Sequence, residues 1–176
     1  MKRTLVAFAF AFSLLLAACG YDPVHASTSA ERFAVVLAGS NVTDVAASDE
    51  VLAGVRDELA RRGALAAGGA YPRCEVEVLR SDEQSEGIAA VENGEGRVVP
   101  QSRATRAGLV VRAWIVRTKD GPRERDTGDI RSLETVATAS DAKTASFRHG
   151  DALRAAGRRA GRVVGARVLG LPAAGD

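Results

Sequence analysis

The spacing of apolar residues changes several times along this chain, and each change predicts an element. Thr4 to Leu16 is an almost unbroken apolar run. Arg32 to Leu37 is apolar and β-branched, which predicts a first strand ended by Gly39-Ser40-Asn41. Val51, Leu52, Val55 and Leu59 then recur at helical spacing. Ser48 can cap that helix, with Asp44, a turn earlier, as the other candidate start. Asp49 and Glu50 place negative charge at its positive end, Arg61 and Arg62 place positive charge at its negative end, and Gly63 stops it. Cys74, Val76 and Val78 alternate with Glu75 and Glu77, the period of a half-buried strand.

Ser81 to Thr105 is polar and glycine-containing. It predicts an extension of the preceding strand through Ile88 and a loop tip at Glu92 to Gly96, with a partner expected to order the segment. Leu109 to Val116, within a strand from Ala107 to Arg117, is β-rich on both faces and predicts a central position in a sheet. Asp120-Gly121-Pro122 marks a turn, and Ile130 to Ala139 predicts a fourth strand. A long helix is predicted from about Gly150 to Leu169, ended by Gly170 and Pro172. Leu153, Ala156, Ala160, Val163, Val164 and Val168 share its apolar face, flanked by Gly157, Gly161 and Gly165 at every fourth residue. In a bilayer that glycine spacing suggests helix dimerisation, but the arginines of this segment exclude a membrane span. The glycines are expected to let the helix approach the sheet or the first helix closely. Each lowers its intrinsic stability by about 1 kcal/mol relative to alanine, so the helix depends on packing.

The order strand, helix, three strands, helix predicts an α+β fold with two helices packed on one face of a four-stranded mixed sheet. The domain is expected over residues 31–172.

The first residues bear on compartment. Lys2 and Arg3 precede the apolar run, which is too short to span a bilayer comfortably, and small residues follow it. Leu16-Ala17-Ala18-Cys19 is similar to the lipobox of bacterial lipoproteins. The residue types suit the chemistry. Lipid is transferred to a thiolate, and the peptidase pocket takes small side chains beside the bond. The expectation is a signal peptide over 1–18, lipid on Cys19, and a tether over 19–30. Each buried methylene of an acyl chain contributes about 0.8 kcal/mol, so one long chain gives on the order of 10 kcal/mol gross. Bacterial lipoproteins carry two or three, so the anchor is expected to be permanent. Gly20 rather than aspartate after the cysteine favours the outer membrane, facing the periplasm.

Charge and cysteine usage follow from that cut. Removing Lys2 and Arg3 removes the formal net charge of +2, so the pI is no argument for nucleic-acid binding. Of the 2 cysteines, Cys74 alone is left, which excludes an intramolecular disulfide and predicts a buried structural thiol.

Candidate chemistry is sparse. The 2 histidines, His25 in the tether and His149 near the last helix, belong to no metal-spaced cluster, and the sequence has no nucleophile elbow and no phosphate loop. No enzyme activity, metal or cofactor is expected beyond the covalent lipid. Arg154, Arg158 and Arg162 fall at i, i+4 and i+8 on the last helix, with Arg159 beside them. Guanidinium groups bind phosphate bidentately, so the stripe is a candidate contact for anionic lipid or an acidic partner. The alternative is a solvated face with arginines near a helix C-terminus. Arg106, Arg112 and Arg117, in and beside the central strand, are equal candidates.

Cys19-Gly20-Tyr21-Asp22-Pro23-Val24-His25-Ala26 resembles the mature start of the lipopolysaccharide-assembly lipoproteins, the LptE-like family. Cys19, Gly20, Tyr21, Pro23 and Val24 fit; His25 stands where tyrosine is common and Ala26 where glycine is common. The resemblance continues through a strand, a turn with Asn41 and Thr43, and a helix ending Glu58-Leu59-Ala60-Arg61-Arg62-Gly63. It implies a two-helix, four-stranded sandwich with no catalytic residues. It also implies a role inside a large outer-membrane β-barrel, assisting its assembly, plugging its lumen and contacting lipopolysaccharide. Two other readings stay open: an auxiliary lipoprotein subunit of an envelope lipid or solute transporter, and an enzyme with a pocket near His149.

Overall fold

The computed structural model describes residues 31–137 and 141–172. The expectations for the signal, for lipid on Cys19 and for the tether lie outside the described residues. The elements in chain order are β1 (Ala34–Ser40), α1 (Val45–Arg61), β2 (Arg73–Glu92), β3 (Val98–Val116), β4 (Ile130–Ala137) and α2 (Ala142–Val168). The sheet order is β1-β2-β3-β4. β1 lies parallel to β2, and the β2–β3 and β3–β4 pairs are antiparallel, so the sheet is mixed as expected.

The period-two pattern of β2 and β3 sorts their side chains onto two faces. Cys74, Val76, Val78, Leu109, Val111, Ala113 and Ile115 join Val51, Val55, Leu59 and Val164 of the helices in one core. Both helices therefore cover the same face of the sheet. Cys74 is fully buried, and desolvation, with Glu75 adding to it, pushes its thiol up to about 12.

α1 begins at Val45, because the Asp44 carboxylate accepts from the Ala47 amide at 3.0 Å, and Gly63 leaves the helix with φ +68°. Ser48 is thus an interior residue, buried and hydrogen-bonded to Ser40. α2 starts eight residues before the expected Gly150. Asp141 caps it, accepting from the Thr144 amide at 2.8 Å, and that hydrogen bond holds the carboxylate below its usual range.

The two helices run parallel, matched glycine to backbone. A Cβ at Gly157 would stand 2.7 Å from the Ala47 carbonyl oxygen, and one at Gly165 2.8 Å from Glu58 Cβ. Ascending positions on α1 therefore meet ascending positions on α2. The first turns of α2 overhang the start of α1, and Phe147 there is exposed.

The polar segment 81–105 is a hairpin. β2 and β3 stay paired out to Glu92 and Val98, where Asn93 Oδ1 accepts from the amides of Glu95 and Arg97 and closes the tip. β1 accompanies β2 only to Val78, and β4 accompanies β3 only from Ala104 to Val111. Beyond those limits a two-stranded ribbon of about six residue pairs projects roughly 20 Å at ~3.3 Å per residue. Strand pairing thus runs through the whole segment, with the expected extension through Ile88 and the expected tip at Glu92 to Gly96.

Candidate functional site

The face of the sheet opposite the helices carries charge in paired sets. Trp114 Nε1 donates to Glu75 at 3.0 Å, and the Arg123 guanidinium stacks on the indole at 3.8 Å. Trp114 is consequently only 2 % exposed on a face no helix covers. Val110 is similarly sealed. Its register neighbours are Arg80 and Arg131, and both donate to Asp82, at 3.1 and 2.8 Å. Arg112 makes a bidentate pair with Asp126, which raises the affinity of the guanidinium for its proton and lowers that of the carboxylate. Arg117 pairs with Glu31 and Glu124.

The structure thus places Arg112 of the predicted candidates in an ion pair on the open sheet face, and Arg117 in ion pairs just past the end of β3. Arg106 lies on the same face by register, opposite Gln84 and Thr135. The helix arginines are elsewhere. Arg154 pairs with Asp151 at 2.6 Å. Arg158 reaches across to α1 and holds Glu50 at 2.9 Å and Asp57 at 2.6 Å, so it ties the two helices together. Neither group of candidates forms a single site.

Arg162 takes part in a different grouping. Because the helices are parallel, their C-terminal ends lie side by side. There Arg61, Arg62, Arg159 and Arg162 line a groove of about 300 Å³ whose apolar part is Val163, Ala166 and Pro172. Glu58, buried in the same groove, accepts from Arg61 at 2.9 Å and from Arg62 at 3.1 Å. Glu134 on β4 holds Arg159 at 2.7 Å. Among the described residues Arg162 has no acidic partner. Arg61 and Arg62 read from the sequence only as charges complementing a helix end. Nothing local in the sequence signals their approach to Arg162; the parallel packing produces it.

A second, shallower depression between β4 and α2 is lined by Glu134, Thr135, Val136, Arg148, Asp151, Ala152 and Ala155. His149 does not line it. Among the described residues, no group of three or more His, Cys, Asp or Glu side chains is placed to hold a metal ion. No helix of the described residues is long and apolar enough to cross a membrane.

Neither a protein-family model nor a curated protein matches this sequence. Solved structures to which the chain is similar are those of bacterial lipoproteins at low identity. A candidate lipoprotein of Caulobacter crescentus shares 14 % identity over 74 % of this chain and 82 % of its own, with a TM-score of 0.45. A minor lipoprotein of Acinetobacter baumannii shares 12 % over 82 % of this chain and 98 % of its own, with a TM-score of 0.42. Rare lipoprotein B of Shewanella oneidensis shares 10 % over 74 % of this chain and 89 % of its own, with a TM-score of 0.42.

Proposed function

We propose that this chain is an outer-membrane lipoprotein that assists assembly of, and plugs, the β-barrel that inserts lipopolysaccharide into the outer leaflet. The observation that carries the reading is the junction Leu16-Ala17-Ala18-Cys19 followed by Gly20-Tyr21-Asp22-Pro23-Val24. That junction supplies both a lipid attachment point and the opening of the family it resembles.

The fold supports the reading in two ways. A domain seated in a barrel lumen contacts polar walls and water, since the interior of such barrels is polar. The open sheet face suits that setting: its large apolar side chains, Val110 and Trp114, are covered by paired charges. The β2–β3 ribbon gives the domain reach along a lumen axis, and its exposed Val98 and Val99 are available to a wall. The role is non-catalytic, with covalent lipid on Cys19 as the anchor.

Depletion tests it. Cells losing this protein are expected to lose surface-exposed lipopolysaccharide while still making it, and to show a barrel that fails to mature. Unchanged surface lipopolysaccharide after complete depletion would contradict the proposal.

A further inference from the structure

We propose that the groove between the C-terminal ends of α1 and α2 is a binding site for a phosphate monoester. The inference rests on the groove's own side chains and stands whether or not a barrel is the partner.

Four guanidinium groups line the groove with one carboxylate, Glu58, beneath them. Glu58 and Glu134 neutralise two of the four charges. The two helix C-termini together add about one negative charge, at ~0.5 each. An excess of about one positive charge remains. Charge alone would therefore attract an anion only modestly; the N–H donors that the guanidinium groups keep free add to it. A guanidinium carries five N–H donors in a fixed plane. The Glu58 contacts engage Nη1 of Arg61 and Nε of Arg62, so each keeps donors for a second acceptor. Glu58 is 4 % exposed and acts as a strut that holds both side chains. Arg162, exposed and without an acidic partner among the described residues, completes the set. A phosphate monoester offers three acceptor oxygens, one more than a carboxylate, to the guanidinium groups that line the groove. The apolar strip of Val163, Ala166 and Pro172 beside the arginines suits a phosphate carried on an apolar group.

The phosphate could belong to a lipid headgroup or be free. Calorimetric titration of the full-length protein in neutral detergent at low salt, first with inorganic phosphate and then with dihexanoyl phosphatidic acid, separates these sources. Binding of both, with the lipid at least about tenfold tighter, assigns a headgroup site that uses the apolar strip. Equal affinities assign a free phosphate site. In either case Arg162→Gln is expected to weaken binding about tenfold or more with an unchanged melting temperature. Arg80→Gln, on the opposite face, is expected to leave it unaltered. Dissociation constants weaker than ~10 mM for both probes, or affinities unchanged in Arg162→Gln, would overturn the proposal and leave these arginines as charges complementing two helix ends.

Discussion

Gly54 of α1 and Gly161 of α2 meet with no room for a methyl group between them. A Cβ at Gly161 would overlap the Val51 carbonyl oxygen and lie 3.0 Å from Gly54 Cα, and a Cβ at Gly54 would overlap the Arg158 carbonyl. The contact is reciprocal, so backbone packs on backbone from both sides. This seam sets the parallel alignment of the helices and hence the juxtaposition of Arg61 and Arg62 with Arg159 and Arg162.

Gly161→Ala tests the seam. Alanine favours helix by about 1 kcal/mol, while forcing the helices apart costs about 1–3 kcal/mol. A net loss of stability is expected, read as a lower melting temperature. Gly150→Ala, where a Cβ would meet only the Arg154 side chain at 3.6 Å, is expected to raise it instead. Equal effects of the two substitutions would show that the seam is not tightly packed.

Ser132 points toward the core, and its hydroxyl has no hydrogen-bond partner among the described residues. Burying an unpaired hydroxyl costs about 1–3 kcal/mol. Ser132→Ala is therefore expected to stabilise the fold by roughly 1 kcal/mol in denaturant titration. A loss of stability would show that the hydroxyl is bonded in solution.

Cys74 links stability to pH at the alkaline end. Its folded pKa lies above the ordinary thiol value of 9.0, at about 12. Below pH 9 both folded and unfolded chains hold the protonated thiol, and its contribution is fully present. Between pH 9 and 12 the unfolded chain ionises first, so stability falls as pH rises. Cys74→Ala is expected to lose stability overall and to flatten this decline. The thiol should resist alkylation at pH 8 until the chain unfolds; rapid modification of the native protein would contradict its burial.

The ribbon formed by the outer parts of β2 and β3 has one ladder and, among the described residues, no further strand beside it, and two-stranded hairpins are marginal in water. Its amides are expected to exchange on the order of 100-fold faster than those of Cys74–Val78 and Leu109–Ile115. Uniform protection along β2 and β3 would show that another contact covers the ribbon.

These elements differ in how much of them the sequence reveals, and for physical reasons. The first helix and the inner strands are legible because Val51, Val55, Leu59, Cys74, Val76 and Val78 bury one face and so repeat with the period of their element. The ribbon is legible in part: the extension through Ile88 and the tip at Glu92 to Gly96 are as expected, while the returning strand from Val98 to Thr105 carries no apolar alternation to announce it. The first turns of α2 are obscured likewise: Lys143 to Phe147 extend past α1 and stay mostly exposed. The close approach of the last helix is legible from its glycines, but the helix direction is not. The arginine groove depends on that direction, so it could not be read from the stripe at Arg154, Arg158 and Arg162.

The most direct test of the functional account is purification of the C-terminally tagged protein from native membranes in mild detergent, with identification of stoichiometric partners. The account predicts co-purification of a large outer-membrane β-barrel. Recovery of inner-membrane transporter subunits, or of no stoichiometric partner, would contradict it.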